Sequence, residues 1–159
     1  MPATYPVIMS KKGNGTVGWL SAKTVEDSGT QAYKSGELVL VGASGAVAIT
    51  VTGSTTGVLG IATTDATGVT STAAIVEVVE PGDILEMTLC NGSTTPVTAA
   101  LSDLYKKYSL YVSGGSSFIS QAAATFGQIV GFVLDSNGAF TSRVLVTVLP
   151  ANLVVAAGL

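Results

Sequence analysis

Four carboxylates lie close together in the stretch AAIVEVVEPGDILEMTL, residues 73–89, and they are the residues of this chain best placed to support chemistry. They are Glu77, Glu80, Asp83 and Glu86, four of the ten acidic residues in the sequence. Paired carboxylates can act as general acid and base or can bind hard cations. Both uses depend on partner groups elsewhere in the chain.

Most partners of such chemistry are missing from the sequence. It contains no histidine, which removes the commonest general base and metal ligand. It has no S-x-x-K motif, no P-loop, no calcium loop, and no G-x-G-x-x-G that follows a strand and opens a helix. Asp65, in TTDATG, is predicted to be a loop residue, and the single Cys90 a buried small hydrophobe. We therefore expect no catalytic residue, no cofactor and no metal site.

The composition indicates one domain, much of whose surface is covered by contact with another molecule. The 159 residues are 47% hydrophobic and only 11% charged, with 19 glycines, whereas free monomers normally carry more surface charge. We do not expect the chain to span a membrane, although its mean hydropathy is +0.56. The longest apolar runs are too short for a spanning helix or are broken by Ser44, Pro150 and Asn152. The N-terminus has no secretory pattern, so we expect synthesis in the cytoplasm.

The first 34 residues differ from the rest of the chain. They hold four lysines against Glu26 and Asp27, while the remainder holds three basic and eight acidic residues. Neither part is basic enough to bind nucleic acid. Residues 1–34 lack sustained periodicity, which predicts an extended N-terminal arm before a β domain at 35–159. The arm carries apolar residues that either contact a partner or fold back on the core of the chain itself: Tyr5, Val7, Ile8, Trp19 and Leu20.

The acidic stretch is predicted to be a hairpin rather than a catalytic centre. Pro81 and Gly82 occupy the central positions of a tight turn, which is typical of type II. After the turn, Leu85, Met87 and Leu89 fall on one face and Glu86 on the other. We therefore interpret the four carboxylates as solvent-facing residues that discourage edge pairing.

The remaining pattern is that of short strands joined by glycine-rich turns. GASGA and DSNGAF predict hairpins, and Gly60 a bulge or a close backbone contact. Val144, Val146 and Val148 alternate with polar or outward positions, as in a half-buried strand, and FGQIVGFVLD is typical of a central strand.

One helical turn is the most that PVTAALSDLYKKY, residues 96–108, supports. Asp103 is at helical spacing from Lys106 and Lys107, and Ser102 is a possible cap. With eight to ten strands in total, the sequence predicts a mostly β fold, a compact sandwich or barrel-like domain of short antiparallel strands with at most one short helix.

The order of these segments resembles the cement or decoration proteins of tailed-phage capsids. The segments are YKSGELV, GIATTDA, VEVVEPGDILEM, SDLYKKYSLYV and GQIVGFVLDSNGAFTSRVLVTVLP, which together span roughly residues 33–150. The resemblance implies a small, mostly β structural protein of the virion that binds the outer surface of a mature icosahedral head as a homotrimer between capsomers.

That resemblance also implies the partners. They are the major capsid protein and further copies of the chain, with no catalytic residues, nucleic acid or membrane involved. The alternative is a β-rich, tail- or fibre-associated module that recognises a receptor or a glycan. An enzyme that works with carboxylates alone remains a second alternative, for which activity should depend on Asp65 or Asp83.

Overall fold

The computed structural model describes residues 3–13, 21–28, 30–42, 45–53 and 56–154. The described chain forms eleven β-strands and two single-turn 3₁₀ helices, Leu101–Asp103 and Pro150–Asn152. The strands are β1 (Ile8–Lys11), β2 (Ser21–Val25), β3 (Leu38–Val41), β4 (Val47–Ile49), β5 (Val58–Ala62), β6 (Ala73–Val78), β7 (Ile84–Cys90), β8 (Lys107–Ser113), β9 (Ser116–Ala123), β10 (Gly127–Leu134) and β11 (Phe140–Val148). The prediction of a compact, mostly β domain is confirmed.

The larger sheet closes on itself. Its order is β1-β7-β11-β10-β8-β9, and β9 also pairs in parallel with the second half of β7. Strands β7 to β11 therefore form a small barrel, to which β1 adds along the first half of the same edge of β7. The main hydrophobic core is made largely by inward-facing residues of these strands, among them Leu85, Met87, Leu89, Leu110, Ile119, Ile129, Val144, Val146 and Val148.

The smaller sheet has the order β2-β6-β5-β3-β4 and also curls. Its two ends meet where Glu26, directly after β2, forms a parallel bridge with Val47 of β4. The sheet contributes to both cores. Leu38, Val58 and Ile61 join the main core, and a second cluster consists of Tyr33, Val39, Val47, Ala62, Ala74 and Val76.

Local patterns identified several elements correctly. The inward rows predicted for β7 and β11 are fully buried or nearly so. Glu80 and Asp83 close the Pro81–Gly82 turn with a backbone hydrogen bond, and Gly82 has φ +88°. A Cβ on Gly60 would lie 2.0 Å from the carbonyl oxygen of Glu77, so a close backbone approach requires glycine there.

The N-terminal segment contributes a strand to each sheet. Strand β1 pairs antiparallel with β7, and β2 pairs antiparallel with β6. Residues 3–7 then run over the turn at Ser35–Gly36, where Ala3 and Val7 donate backbone hydrogen bonds. The described part of residues 1–34, expected to be an arm preceding the β domain, thus contributes β1 and β2 to the sheets of that domain.

Three local predictions need correction. The acidic stretch at residues 73–89 is not a hairpin, because β6 pairs with β2 and β5 in the smaller sheet while β7 pairs with β1 and β11 in the larger one. Strand β10 pairs with β8 only at Gly127 and Gln128, so its second half belongs to a hairpin with β11 and is not central. At the 3₁₀ turn Leu101–Asp103, the residue preceding the turn is Ala100 and Ser102 caps nothing. Asp103 is buried instead of pairing with a lysine, because its carboxylate accepts hydrogen bonds from inside the chain.

Candidate interaction surface

The carboxylates around the Pro81–Gly82 turn hold a buried lysine. Lys12, which follows β1, places Nζ 2.5 Å from Asp83 Oδ2 and 2.9 Å from Glu80 Oε2. Asp83 is only 1% exposed, and it also accepts hydrogen bonds from the N–H groups of Gly13 and Glu80. The prediction that these carboxylates face solvent is wrong for Asp83, because a lysine 71 residues away in the sequence neutralises it.

The charges in this cluster shift one another's protonation. Burial opposes the charged form of Lys12, but hydrogen bonds to Asp83 and Glu80 outweigh burial and raise the pKa of Lys12. Burial raises the pKa of Glu77, and Asp83 adds to this effect, although the charge of Lys12 opposes it. Lys12 and Asp83 thus form a buried ion pair whose charged groups are hydrogen-bonded within the chain.

Glu86, the fourth carboxylate, pairs with Arg143 on the outer face of the barrel. Arg143 Nε donates to Glu86 Oε1 at 2.8 Å, and its Nη1 donates to Thr88 at 2.7 Å. Its Nη2 donates to the carbonyl oxygen of Pro6 at 3.0 Å. One guanidinium group therefore ties the N-terminal segment to β7 and β11.

Glu26 is a buried carboxylate at the point where the smaller sheet curls closed. Its oxygens accept hydrogen bonds from the N–H and hydroxyl of Thr67 and from the N–H of Gly68. Burial alone would raise the pKa of Glu26, but these bonds outweigh it and lower the pKa. The carboxylate thereby fastens the loop that follows β5 to the end of β2.

Glu37 and Asp103 are both buried, but their pKa values are shifted in opposite directions. Glu37 Oε2 accepts a hydrogen bond from the N–H of Lys34, while Oε1 is buried with no hydrogen-bond partner among the described residues. Burial raises the pKa of Glu37. For Asp103, burial is outweighed by hydrogen bonds from Tyr108 and Ala100, which lower its pKa.

Most acidic side chains are therefore buried or paired inside the molecule, while several large apolar side chains are exposed. Among the described residues, no group of three or more acidic residues or cysteines could hold a metal ion. The large hydrophobic residues that remain exposed lie on both sheets, their loops and the hairpin of β10 and β11: Ile8, Val25, Val51, Val69, Ile75, Leu101, Tyr105, Leu134 and Phe140.

The N-terminal residues suggested as partner contacts differ in how exposed they are. Val7 is 3% exposed and belongs to the main core, so its side chain is not available to a partner. Tyr5 is half-buried, with its ring 5.3 Å from that of Phe118. Ile8 is 47% exposed on β1 and is available for contact. Trp19 and Leu20 lie outside the described residues.

The hairpin of β10 and β11 carries an apolar tip that sequence reasoning missed. Leu134 and Phe140 are opposite each other in register, directly beside the turn at residues 135–139, and both are exposed. The Phe140 ring packs edge-on against Phe132, with centroids 4.9 Å apart. The signal was present, because two large apolar residues flank the strongest hairpin signal in the chain.

Comparison of this chain with family models, with curated proteins and with solved structures found no match. In the described part of the chain, no helix is both long enough and apolar enough to cross a membrane.

Proposed function

We propose that this chain is a non-enzymatic structural protein of a phage virion that binds the outer surface of the mature icosahedral head. It acts as a homotrimer between capsomers and stabilises the capsid, after synthesis in the host cytoplasm. The observation that carries the proposal is the distribution of charge. The body buries or pairs most of its acidic groups internally, at Glu26, Asp83 and Glu86 among others, and leaves large apolar side chains exposed. Such surfaces are typical of extended protein contacts.

The mechanism is clamping at several points. A trimer that touches several capsid subunits makes its later contacts effectively intramolecular, so modest individual contacts add up to tight attachment. A protein that binds only the expanded lattice stabilises that lattice by mass action. This role requires no catalytic group, no cofactor and no metal.

The test is to measure the mass of the purified protein by light scattering and then its co-sedimentation with phage heads. We expect a trimer that co-sediments with expanded heads and not with unexpanded ones. A monomer that ignores both forms of head would overturn the proposal.

A second candidate function is recognition of a glycan or receptor by a tail- or fibre-associated module. One observation favours it, a groove of about 290 Å³ beside the β8–β9 turn with hydroxyl and aromatic groups along it. The groove is lined by Thr4, Tyr5, Thr94, Ser113, Gly114, Ser116 and Phe118. Saturation-transfer NMR with methyl glycosides tests this function: signals that are lost in Tyr5→Ala and kept in Tyr111→Ala would support it.

A further inference from the structure

Two exposed surfaces of opposite charge lie along β10, one at the turn of the β10–β11 hairpin and the other beside Ile129. The first, called the tip, consists of Leu134, Asp135 and Phe140. Leu134 is 50% exposed and Phe140 is 40% exposed. The edge-on packing of Phe140 against the partly buried Phe132 holds its ring in place before any partner binds, which lowers the ordering cost of a contact.

The carboxylate of the tip is held in a fixed position. Asp135 is exposed, and its Oδ1 accepts hydrogen bonds from the N–H groups of Asn137 at 2.8 Å and Ala139 at 2.9 Å. Both bonds end on the same oxygen. The tip thus presents a negative charge beside two apolar side chains.

The second surface, called the shoulder, consists of Tyr105, Lys106 and Lys107. All three are exposed, Tyr105 by 67%. Tyr105 has φ +63°, a left-handed conformation that is unusual for a bulky residue and that is found preferentially at functional sites. Its backbone is held there by two 2.8 Å hydrogen bonds, from its N–H to Ile129 and from Gln128 to its carbonyl oxygen. The shoulder presents an aromatic ring beside two positive charges.

The two surfaces cannot satisfy each other within one copy of the chain. Tyr105 lies beside Ile129, and Leu134 is five residues further along β10. At about 3.3 Å per residue this separation is roughly 16 Å. It is about twice the screening length of about 8 Å at physiological ionic strength. The tip and the shoulder of one copy therefore do not contact each other, and both are left exposed to a second molecule.

We propose that the tip of one copy docks on the shoulder of the next copy, head to tail. This inference rests on the proposed trimer and identifies its contact. Because tip and shoulder are different surfaces of one molecule, the contact is heterologous, and three such contacts form a ring if the rotation closes. Leu134 and Phe140 supply apolar burial against Tyr105, while Asp135 and the two lysines set the register.

Charge reversal followed by rescue tests this contact by light scattering. Lys106→Glu with Lys107→Glu reverses the shoulder, and Asp135→Asn with Ser136→Lys reverses the tip. Asparagine retains an oxygen that accepts the two turn hydrogen bonds, so the hairpin keeps its shape. For the variant with the reversed shoulder and for the variant with the reversed tip, we expect the protein concentration at which half of the trimer dissociates to be at least tenfold higher than for the wild type. Combining all four substitutions is expected to restore the trimer.

The matched control is Lys11→Glu with Lys23→Glu. Both lysines are exposed and lie on neither surface, and the change in net charge equals that of the reversed shoulder. This control is expected to remain trimeric. Circular dichroism of every variant checks that the fold is intact.

A disulfide test is independent of charge. The native Cys90 is buried, so cysteines placed by Tyr105→Cys and Leu134→Cys in one protein can react without it. Oxidation is expected to give covalently linked trimers, because the two positions are too far apart to bridge within one copy.

Four results would overturn the inference. In the first, the wild type is trimeric and both reversed proteins remain trimeric, which leaves the proposed function intact. In the second, the reversed proteins dissociate and their combination does not recover. In the third, the wild type is monomeric at all concentrations; co-sedimentation with expanded heads then decides separately whether the proposed function stands. A reversed shoulder that stays trimeric but loses head binding would assign the shoulder to the capsid instead.

Discussion

Lys12 Nζ lies 2.5 Å from Asp83 Oδ2, which joins the end of the first strand to the Pro81–Gly82 turn across 71 residues of sequence. Both side chains are almost completely buried. Removing one member of a buried pair leaves an uncompensated charge, which costs far more than an exposed pair contributes.

Substitution of Lys12 by Met should lower the free energy of unfolding by about 3–5 kcal/mol. Urea denaturation monitored by circular dichroism measures this, with Lys11→Met as the matched control because Lys11 is the neighbouring residue and is exposed. Equal stability of the two variants would show that the buried pair does not hold the N-terminal segment.

The same pair predicts a loss of stability in alkali. The pKa of Lys12 is raised in the folded protein, so its contribution is complete below the unfolded pKa of about 10.4 and is lost as the pH rises through the folded pKa. Unfolding curves recorded up to pH 11 should show a steeper loss for the wild type than for Lys12→Met. Parallel curves would contradict this assignment.

Tyr108→Phe should destabilise the barrel. The Tyr108 hydroxyl donates to Asp103 Oδ1 at 2.6 Å, and a hydrogen bond to a charged group contributes about 1.5–3 kcal/mol. Burial and the hydrogen bond to Asp103 raise the pKa of Tyr108 to about 12, so absorbance titration should show a late ionisation whose amplitude falls by one tyrosine in the variant. Tyr111→Phe is the control, and it should keep that late transition.

Glu37→Gln should stabilise the protein at neutral pH. Burial raises the pKa of Glu37, so the stability it contributes is complete below its unfolded pKa of about 4.3 and is lost as the pH rises through the folded pKa. Glutamine stays neutral and keeps an oxygen for the N–H of Lys34. Melting temperatures should therefore be higher for the variant at pH 7 and should converge near pH 4. A variant that is less stable at both pH values would refute the expectation.

Ile8→Ser and Val7→Ala should separate binding from folding. Ile8 is exposed on β1 while Val7 is in the core, so Ile8→Ser should reduce occupancy on expanded heads with little change in melting temperature. Val7→Ala should lower the melting temperature, since removing buried methyl groups costs about 0.8 kcal/mol per group or more. Full occupancy of heads by the Ile8→Ser variant would show that β1 does not contact the capsid.

Attachment to heads should survive high salt. The exposed surface is poor in charge, and apolar contact does not weaken at about 1 M NaCl, where the screening length is about 3 Å. Sedimentation of decorated heads in rising NaCl measures this, with empty heads as the control. Release at moderate salt would show that ion pairs hold the protein to the capsid.

The sequence by itself determined the elements whose signals are local. The alternation in β7 and β11 identified their buried faces, and Pro81–Gly82 and Asn137–Gly138 identified turns, because period-two burial and turn geometry depend on residues a few positions apart. The fold class and the approximate number of strands followed from the same patterns.

Only the tertiary structure decided which charges are buried and which strands meet. No local pattern indicates that Lys12 reaches Asp83, that Arg143 reaches the carbonyl of Pro6, or that β9 closes the barrel on β7. A carboxylate beside a turn has the same local sequence whether it faces water or a lysine brought in from 71 residues away. Its burial depends on long-range packing, as does the pairing of strands. That is why the turn and its flanking strands were predicted correctly, whereas the pairing of those strands as a hairpin and the solvent-facing position of Asp83 were predicted incorrectly.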